Sequence, residues 1–348
     1  MDPPPPSSSP ESDPGSASAG IFVSERYEML QQWLADVLAT DSFELTPASS
    51  DASFRRYWRV AREGTTLIAM DAPPAHEDCG RFADLSRRFR AIGVNTPEIH
   101  AENREQGFLL LSDLGNRVYL GELDADTAAR LYADALDALA AIQAGGPVEG
   151  LPLYDAPFLQ REMALFGEWL LGRHLGIALD AGERAMFDRA HASLIESALE
   201  QPRVCVHRDY HSRNLMLTES ANPGVLDFQD AVLGPVTYDL VSLLRDCYVA
   251  WPEERVRDWA LGYLDKATRS GILRNVSAET FLRWFDLMGM QRHLKACGIF
   301  ARLNHRDGKP HYLGDVPRTL GYIIGVAERY PEFGDLADFL RSRVLPRV

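Results

Sequence analysis

In "HRDYHSRNLML", which begins at His207, an aspartate and an asparagine stand five positions apart, Asp209 and Asn214, and a further aspartate, Asp227, follows the apolar "GVL". Two carboxylates and an amide on neighbouring turns are hard oxygen ligands, the kind Mg²⁺ accepts while it keeps waters and bridges phosphates. Phosphoryl transfer needs that inventory: one carboxylate to orient the attacking hydroxyl, and an amide with a second carboxylate to hold metal on the nucleotide. His207 and His211 are four apart, a spacing also used for zinc. The "NLML" that follows and the neighbouring Arg208 and Arg213 do not suggest a helix presenting both rings to one metal.

These residues need elements to hold them. "VCV", "NLML" and "GVLDF" read as very short strands, the last two joined by a turn containing Asn222, Pro223 and Gly224. Upstream, Tyr27, Leu30, Leu34, Val37 and Leu38 recur at helical spacing behind Ser24, which can cap the helix. "FRRYWRV" and "TTLIAMDA" flank the turn-like "AREG" and read as a hairpin. A helical segment from Phe82 to Ala91 and the apolar strand "FLLLSDLG" follow. After Gly115 the pattern is mainly helical. Leu131, Ala135, Leu139 and Ile142 form one stripe, and "FLQREMALFGEWLLGRHL" is a second helix. A β-rich front and a helical back predict an α+β protein with a cleft between two lobes.

The chain has 348 residues and is 46% hydrophobic, enough for a two-lobed globular protein. Residues 1–20 are Pro, Ser, Gly and acid, and are expected to form a disordered tail. Residues 21–114 then make an N-lobe and 115–348 a C-lobe. Fifty acidic against 36 basic residues, a net charge of −14, oppose attraction to nucleic acid or an anionic membrane. The start has neither a basic cluster nor an apolar segment, so a cytoplasmic protein is expected. Cys79, Cys205, Cys247 and Cys297 lie far apart and are expected as free thiols.

The set H-x-D-x-x-x-x-N followed by D-F resembles the catalytic and metal-binding loops of the protein-kinase-like superfamily. "GPVTYDLVSLLRD" and "GFLLLSDLG" are similar to segments of its aminoglycoside phosphotransferase branch. The resemblance implies a two-lobed kinase-like fold that binds ATP and Mg²⁺. Asp209 would be the catalytic base, Asn214 and Asp227 the metal ligands, His207 and Asp239 supports of the loop, and the backbone near Ser112 and Leu114 the adenine site. "SDASFRRYWRV", "LIAMDAPP" and "GMQRHLKACGIFARLNHRDGKPHYL" further resemble bacterial anomeric kinases of N-acetylmuramate and N-acetylglucosamine. That likeness implies phosphorylation of the anomeric hydroxyl of a small amino sugar, giving a sugar 1-phosphate for cell-wall recycling.

Two features depart from the superfamily. The lysine expected on the strand after the phosphate-covering hairpin is replaced by Met70, and the first 265 residues contain no lysine at all. The glycine-rich loop is missing too, leaving the hydroxyl of Ser53 and backbone N–H groups near it. Either Arg55, Arg56 or Arg59 supplies the phosphate-binding cation, or the chain binds nucleotide without transferring from it; the first is favoured, because guanidinium pairs bidentately with phosphate. For the acceptor, the six cations and two carboxylates between Arg292 and Arg318 make a basic stretch suited to a carboxylate-bearing sugar. Arg292, His293, Glu162 and Trp169 are the acceptor candidates. The alternatives are another hydroxyl acceptor, such as an aminoglycoside, or a catalytically impaired nucleotide-binding regulator.

Overall fold

The computed structural model describes residues 14–49 and 54–348. They fall into two compact units, one formed by the chain up to Gly80 with Ile99–Asp113, the other by Arg81–Glu98 with Leu114–Val348.

The first unit opens with helix α1 (Pro14–Leu38), which starts ahead of the Ser24 where its apolar periodicity begins. Pro fits a first helical turn, and Ala residues favour helix. Residues 14–20, expected in a tail, therefore belong to α1; residues 1–13 lie outside the described residues. Next come β1 (Glu44–Ser49), β2 (Arg56–Arg62), β3 (Thr65–Asp71), α2 (Cys79–Ala91), β4 (Ile99–Asn103) and β5 (Phe108–Ser112). The strands form one antiparallel sheet in the order β1-β2-β3-β5-β4. The β2–β3 hairpin turns through Glu63 (φ 48°) and Gly64 (φ 79°). Two positive φ values are the signature of a type I′ turn, which matches the strand twist and favours glycine.

Side chains alternate across a strand, so each face of the sheet has its own residues. On one face Val60, Ala69, Phe108 and Leu110 pack against Leu30 and Leu34 of α1. Each buried leucine contributes about 1.5–3 kcal/mol. Arg26 of α1 reaches Asp71, its Nε lying 2.9 Å from Oδ1, and its Nη2 also donates to the Gln106 carbonyl at 2.8 Å; both ends are buried. The opposite face carries Tyr57, Arg59, Met70, Leu109 and Leu111.

The sequence suggested a single change-over after Leu114, but the chain crosses between the units more than once. Helix α2 groups with the second unit because Phe82 and Phe89 pack on Phe228, with ring centroids 4.8 and 5.7 Å away. That unit continues with α3 (Tyr119–Glu122), α4 (Ala128–Gly145), α5 (Ala156–Leu165, prolonged as a π-helical segment Phe166–His174) and α6 (Ala181–Leu199). The short strands β6 (Arg203–Val206), β7 (Leu215–Met216), β8 (Gly224–Val225) and β9 (Val232–Pro235) pair as β6–β9 and β7–β8. Then come α7 (Tyr238–Leu244), α8 (Glu253–Arg269), α9 (Ala278–Asp307), α10 (Val316–Ala327) and α11 (Gly334–Phe339).

Helix α9 is the axis of this unit. Ser277 caps its start by accepting the Thr280 N–H at 3.1 Å, and Gly308 stops it in the left-handed region at φ 64°. From Phe281 to Leu303 nearly every residue is buried. A Cβ on Gly298 would lie 2.4 Å from the Leu165 backbone, so only glycine lets α9 approach the end of α5 this closely. Among the described residues no helix is long and apolar enough to cross a membrane, and the four cysteines are buried free thiols.

Candidate active site

The loop from His207 to Asn214 joins β6 to β7 and is held from three sides. Asp239, in the first turn of α7, accepts the backbone N–H of His207 at 2.6 Å and of Arg208 at 2.9 Å. Burial raises the Asp239 carboxyl above its ordinary value, although His207 and these donors act against that. Arg208 sits at φ 81°, a conformation that costs a non-glycine residue about 1–3 kcal/mol and needs such a brace. The His207 ring donates from Nε2 to the Leu226 carbonyl at 2.9 Å and accepts the Asp209 N–H on Nδ1 at 3.2 Å. Further along, Asp246 accepts both the N–H (2.9 Å) and the hydroxyl (2.6 Å) of Ser212, and Tyr210 anchors to the Ala135 carbonyl at 2.8 Å.

Asn214 and Asp227 meet across the β7–β8 pair. The amide Nδ2 of Asn214 donates to the Asp209 carbonyl at 3.0 Å and lies 3.5 Å from Oδ2 of Asp227, whose Oδ1 accepts from Gln229 at 2.8 Å. Because Nδ2 has a protein acceptor, the oxygen of that amide is the atom left for a ligand. One carboxylate and one amide oxygen fit Mg²⁺, which takes few protein oxygens and completes its shell with water and phosphate.

Asp209 points into a pocket enclosed by His211, Tyr238, Tyr248, Arg292, Lys295 and Phe300, with Cys247, Ala296 and Ile299 completing the wall. Residues 292, 295, 296, 299 and 300 follow helical spacing, so a single stripe of α9 faces Asp209. Burial opposes ionisation of Asp209, but Lys295, His211, Arg208 and Arg292 outweigh it and hold the carboxyl below its usual range. Among the described residues no side chain makes a hydrogen bond or ion pair with this carboxylate. Lys295 Nζ lies 3.0 Å from Glu162 and donates to the Tyr238 hydroxyl at 2.9 Å; burial opposes its charge, yet Glu162, Tyr238 and Asp209 keep it above its ordinary value. Glu162 also pairs with Arg208 at 2.6 Å and accepts from the Tyr154 hydroxyl. Arg292 is buried, with Nη1 3.6 Å from the Cys247 sulfur and Nε without a hydrogen-bond partner among the described residues.

The acceptor candidates separate on these coordinates. Arg292 lines the pocket, and Glu162 stands behind it as the counter-charge of Lys295 and Arg208. His293 is turned away: one residue along a helix is a rotation of about 100°, and its ring donates to the Arg245 carbonyl at 2.9 Å and stacks on Tyr322. Burial, then Arg292, push its pKa down to about 3. Trp169 packs against the core of the second unit with Arg173 over its ring, outside the lining of the Asp209 pocket. Nor is the basic stretch one surface. Arg292 and Lys295 are buried, while Arg306 and Arg318 each pair at 2.8 Å with a nearby aspartate, Asp307 and Asp315. Lys295, Tyr238 and Tyr248 line the pocket without being sequence candidates; the helical stripe through Arg292, Lys295, Ala296 and Ile299 is a signal for Lys295, and the two tyrosines, outside α9, carry none.

In the first unit, Ser53 lies outside the described residues. Met70 is fully buried in β3, where the superfamily has lysine. Arg59 is clamped by Asp113, with Nε 2.6 Å and Nη2 3.1 Å from its oxygens, and shares the sheet face of Met70. Arg56 has the parity of Trp58 and Val60, which pack toward α1, so strand alternation separates it from Arg59. Ser112 closes β5 opposite Leu67, and Leu114 packs on Gly224.

An ionised aspartate in a pocket, with an Asn–Asp pair on the following short strands, is the equipment of an enzyme that moves phosphoryl groups to hydroxyls. The chain belongs to the phosphotransferase enzyme family, whose model matches residues 44–274. It is 50% identical over 327 residues, 91% of this chain and 96% of the relative, to a Pseudomonas aeruginosa protein named N-acetylmuramate/N-acetylglucosamine kinase. A Pseudomonas putida protein of the same name is 50% identical over 296 residues, 85% of this chain and 87% of that one. Among solved structures, an ethanolamine kinase from Plasmodium vivax superposes with a TM-score of 0.63 at 12% identity, covering 90% of each chain. The fold is therefore protein-kinase-like, with a small antiparallel sheet and a larger, mainly helical part.

Proposed function

We propose that the chain transfers the terminal phosphoryl group of ATP to the anomeric hydroxyl of N-acetylmuramate and N-acetylglucosamine, giving the sugar 1-phosphate and ADP. The observation that carries this reading is the Asp209 carboxylate, ionised and without a protein hydrogen-bond partner among the described residues, in a pocket lined by one face of α9. The names of the 50%-identical relatives supply the acceptor.

Asp209 accepts the hydrogen bond of the anomeric hydroxyl and aligns its oxygen for in-line attack. The new O–P bond forms as the bond to the leaving ADP oxygen breaks, and the hydroxyl proton passes to Asp209. Placement and charge neutralisation supply most of the rate. Asn214 and Asp227 would hold Mg²⁺, which neutralises phosphate charge when bound. Arg292, which lines the pocket beside Asp209, suits a group common to both sugars, such as the acetamido carbonyl beside the anomeric carbon. Glu162 is a positioning residue acting through Lys295 and Arg208.

Arg59, on the face of Met70, is the proposed nucleotide cation of the first unit, with Arg55 just ahead of β2 and, from the sequence, Ser53 as further phosphate contacts, and the backbone of Ser112 and Leu114 as the adenine site. ATP as donor suits the cytoplasm, and a sugar 1-phosphate suits a nucleotidyltransferase step in cell-wall recycling. A second reading, a nucleotide-binding regulator, draws on the buried Met70. Assaying ATP consumption with N-acetylmuramate, N-acetylglucosamine and kanamycin, with the phosphorylated position read by phosphorus NMR, separates these. A 1-phosphate of either amino sugar is expected; turnover with kanamycin alone, or with no acceptor, overturns the proposal.

A further inference from the structure

Arg213 lies in the catalytic loop, directly before Asn214, and is half-buried. Its guanidinium sits 3.9 Å from the centroid of the Tyr248 ring and 5.4 Å from that of Tyr312. Among the described residues no carboxylate pairs with it and no acceptor takes its N–H groups. Stacking holds the planar fork in place while its donors remain available, the arrangement that recognises a carboxylate with little ordering cost.

Its position relative to the pocket gives it a use. Tyr248 and Phe300 line the pocket, and Tyr312 stacks on Phe300 at 5.7 Å, so Arg213 stands one layer outside the wall that faces Asp209. A group bonded directly to the sugar carbon beside the anomeric centre would fall within the lining; a group on a flexible arm could reach the next layer. The two acceptors differ by one such arm, a lactyl ether on O3 that spans about 3–4 Å and ends in a carboxylate.

The two arginines also differ in what they tolerate. A buried cation left without its anion is costly, so a residue serving an anion present on only one of two acceptors should keep access to water. Buried Arg292 does not meet that condition, and half-buried Arg213 does. Resting on the amino-sugar reading above, we propose that Arg213, held on Tyr248 and Tyr312, is the subsite for the acceptor's carboxylate arm and sets the preference between the two sugars.

The test is steady-state kinetics of the full chain and of Arg213→Gln and Arg213→Lys with both sugars, together with N-acetylmuramate whose carboxylate is converted to the amide. Arg213→Gln is expected to lower kcat/KM for N-acetylmuramate about 10- to 30-fold, mainly through KM, and to shift the ratio between the two sugars by about tenfold or more; Arg213→Lys should fall between. The amide should be a poorer substrate than the acid for the unsubstituted protein and an equal one for Arg213→Gln. Equal losses with both sugars, or a raised KM for ATP, would overturn the subsite and point to a loop or nucleotide role. If the unsubstituted protein phosphorylates neither sugar, the amino-sugar reading itself falls, and the subsite with it.

Discussion

Arg26 in the first unit and Lys295 in the second are both buried helical cations with a carboxylate beside them, but their surroundings differ. Arg26 meets Asp71 and the Gln106 carbonyl, a closed set tying α1 to the sheet. Lys295 shares Glu162 with Arg208 and stands with Arg292 around Asp209, so three cations face two acids and one of those acids has no direct partner among the described residues. A matched pair holds structure together. An excess of positive charge around an unengaged carboxylate keeps that carboxylate ionised and ready for a hydroxyl, which is what a transfer site needs.

The most severe break in this comparison is Asp209→Asn. We expect kcat to fall about 10³–10⁴-fold, with nucleotide affinity by calorimetry and thermal stability retained. Near-normal turnover would remove Asp209 as the base. Arg26→Ala should act the opposite way, lowering the stability of the first unit by about 3–5 kcal/mol in denaturant unfolding by leaving Asp71 buried and unpaired, with Asp209 and its pocket unaltered. A stability change below about 1 kcal/mol would show that the pair holds little.

Glu162→Gln probes the second network, because it strips the counter-charge from Lys295 and Arg208. Turnover should drop about 10- to 100-fold, as expected of a positioning residue, and unchanged kinetics would detach Glu162 from the site. For pH, the Asp209 carboxyl is held below its usual range, so its ionisation, and the stability its charged form contributes, are present above about pH 4 and lost as pH falls further. The rate should therefore show no acid limb from this group between about pH 5 and 8; a limb near pH 6 that disappears in Asp209→Asn would contradict the depressed carboxyl. The smallest effect is expected from Trp169→Phe, with kcat/KM for either sugar within about twofold, since Trp169 packs against the core outside the pocket lining; a selective loss with one sugar would place it at the acceptor site.

The β2–β3 hairpin, strand β5 and the closeness of Asp209, Asn214 and Asp227 could be read from the sequence, whereas β1 was not expected. Each rests on local spacing: a turn fixes two neighbouring strands, and a short loop between strands keeps its side chains close whatever surrounds them. Tertiary structure decided the rest. One step along α9 separates Arg292, in the pocket, from His293, against Tyr322, and the spacing alone does not say which stripe of a helix buried nearly all round will face the loop. Strand parity likewise divides Arg59 from Arg56, and it has meaning only once α1 covers one face of the sheet. Glu162, Arg208 and Lys295 come from a helix, a loop and another helix far apart in the chain, so their charge balance around Asp209 exists only after those elements pack.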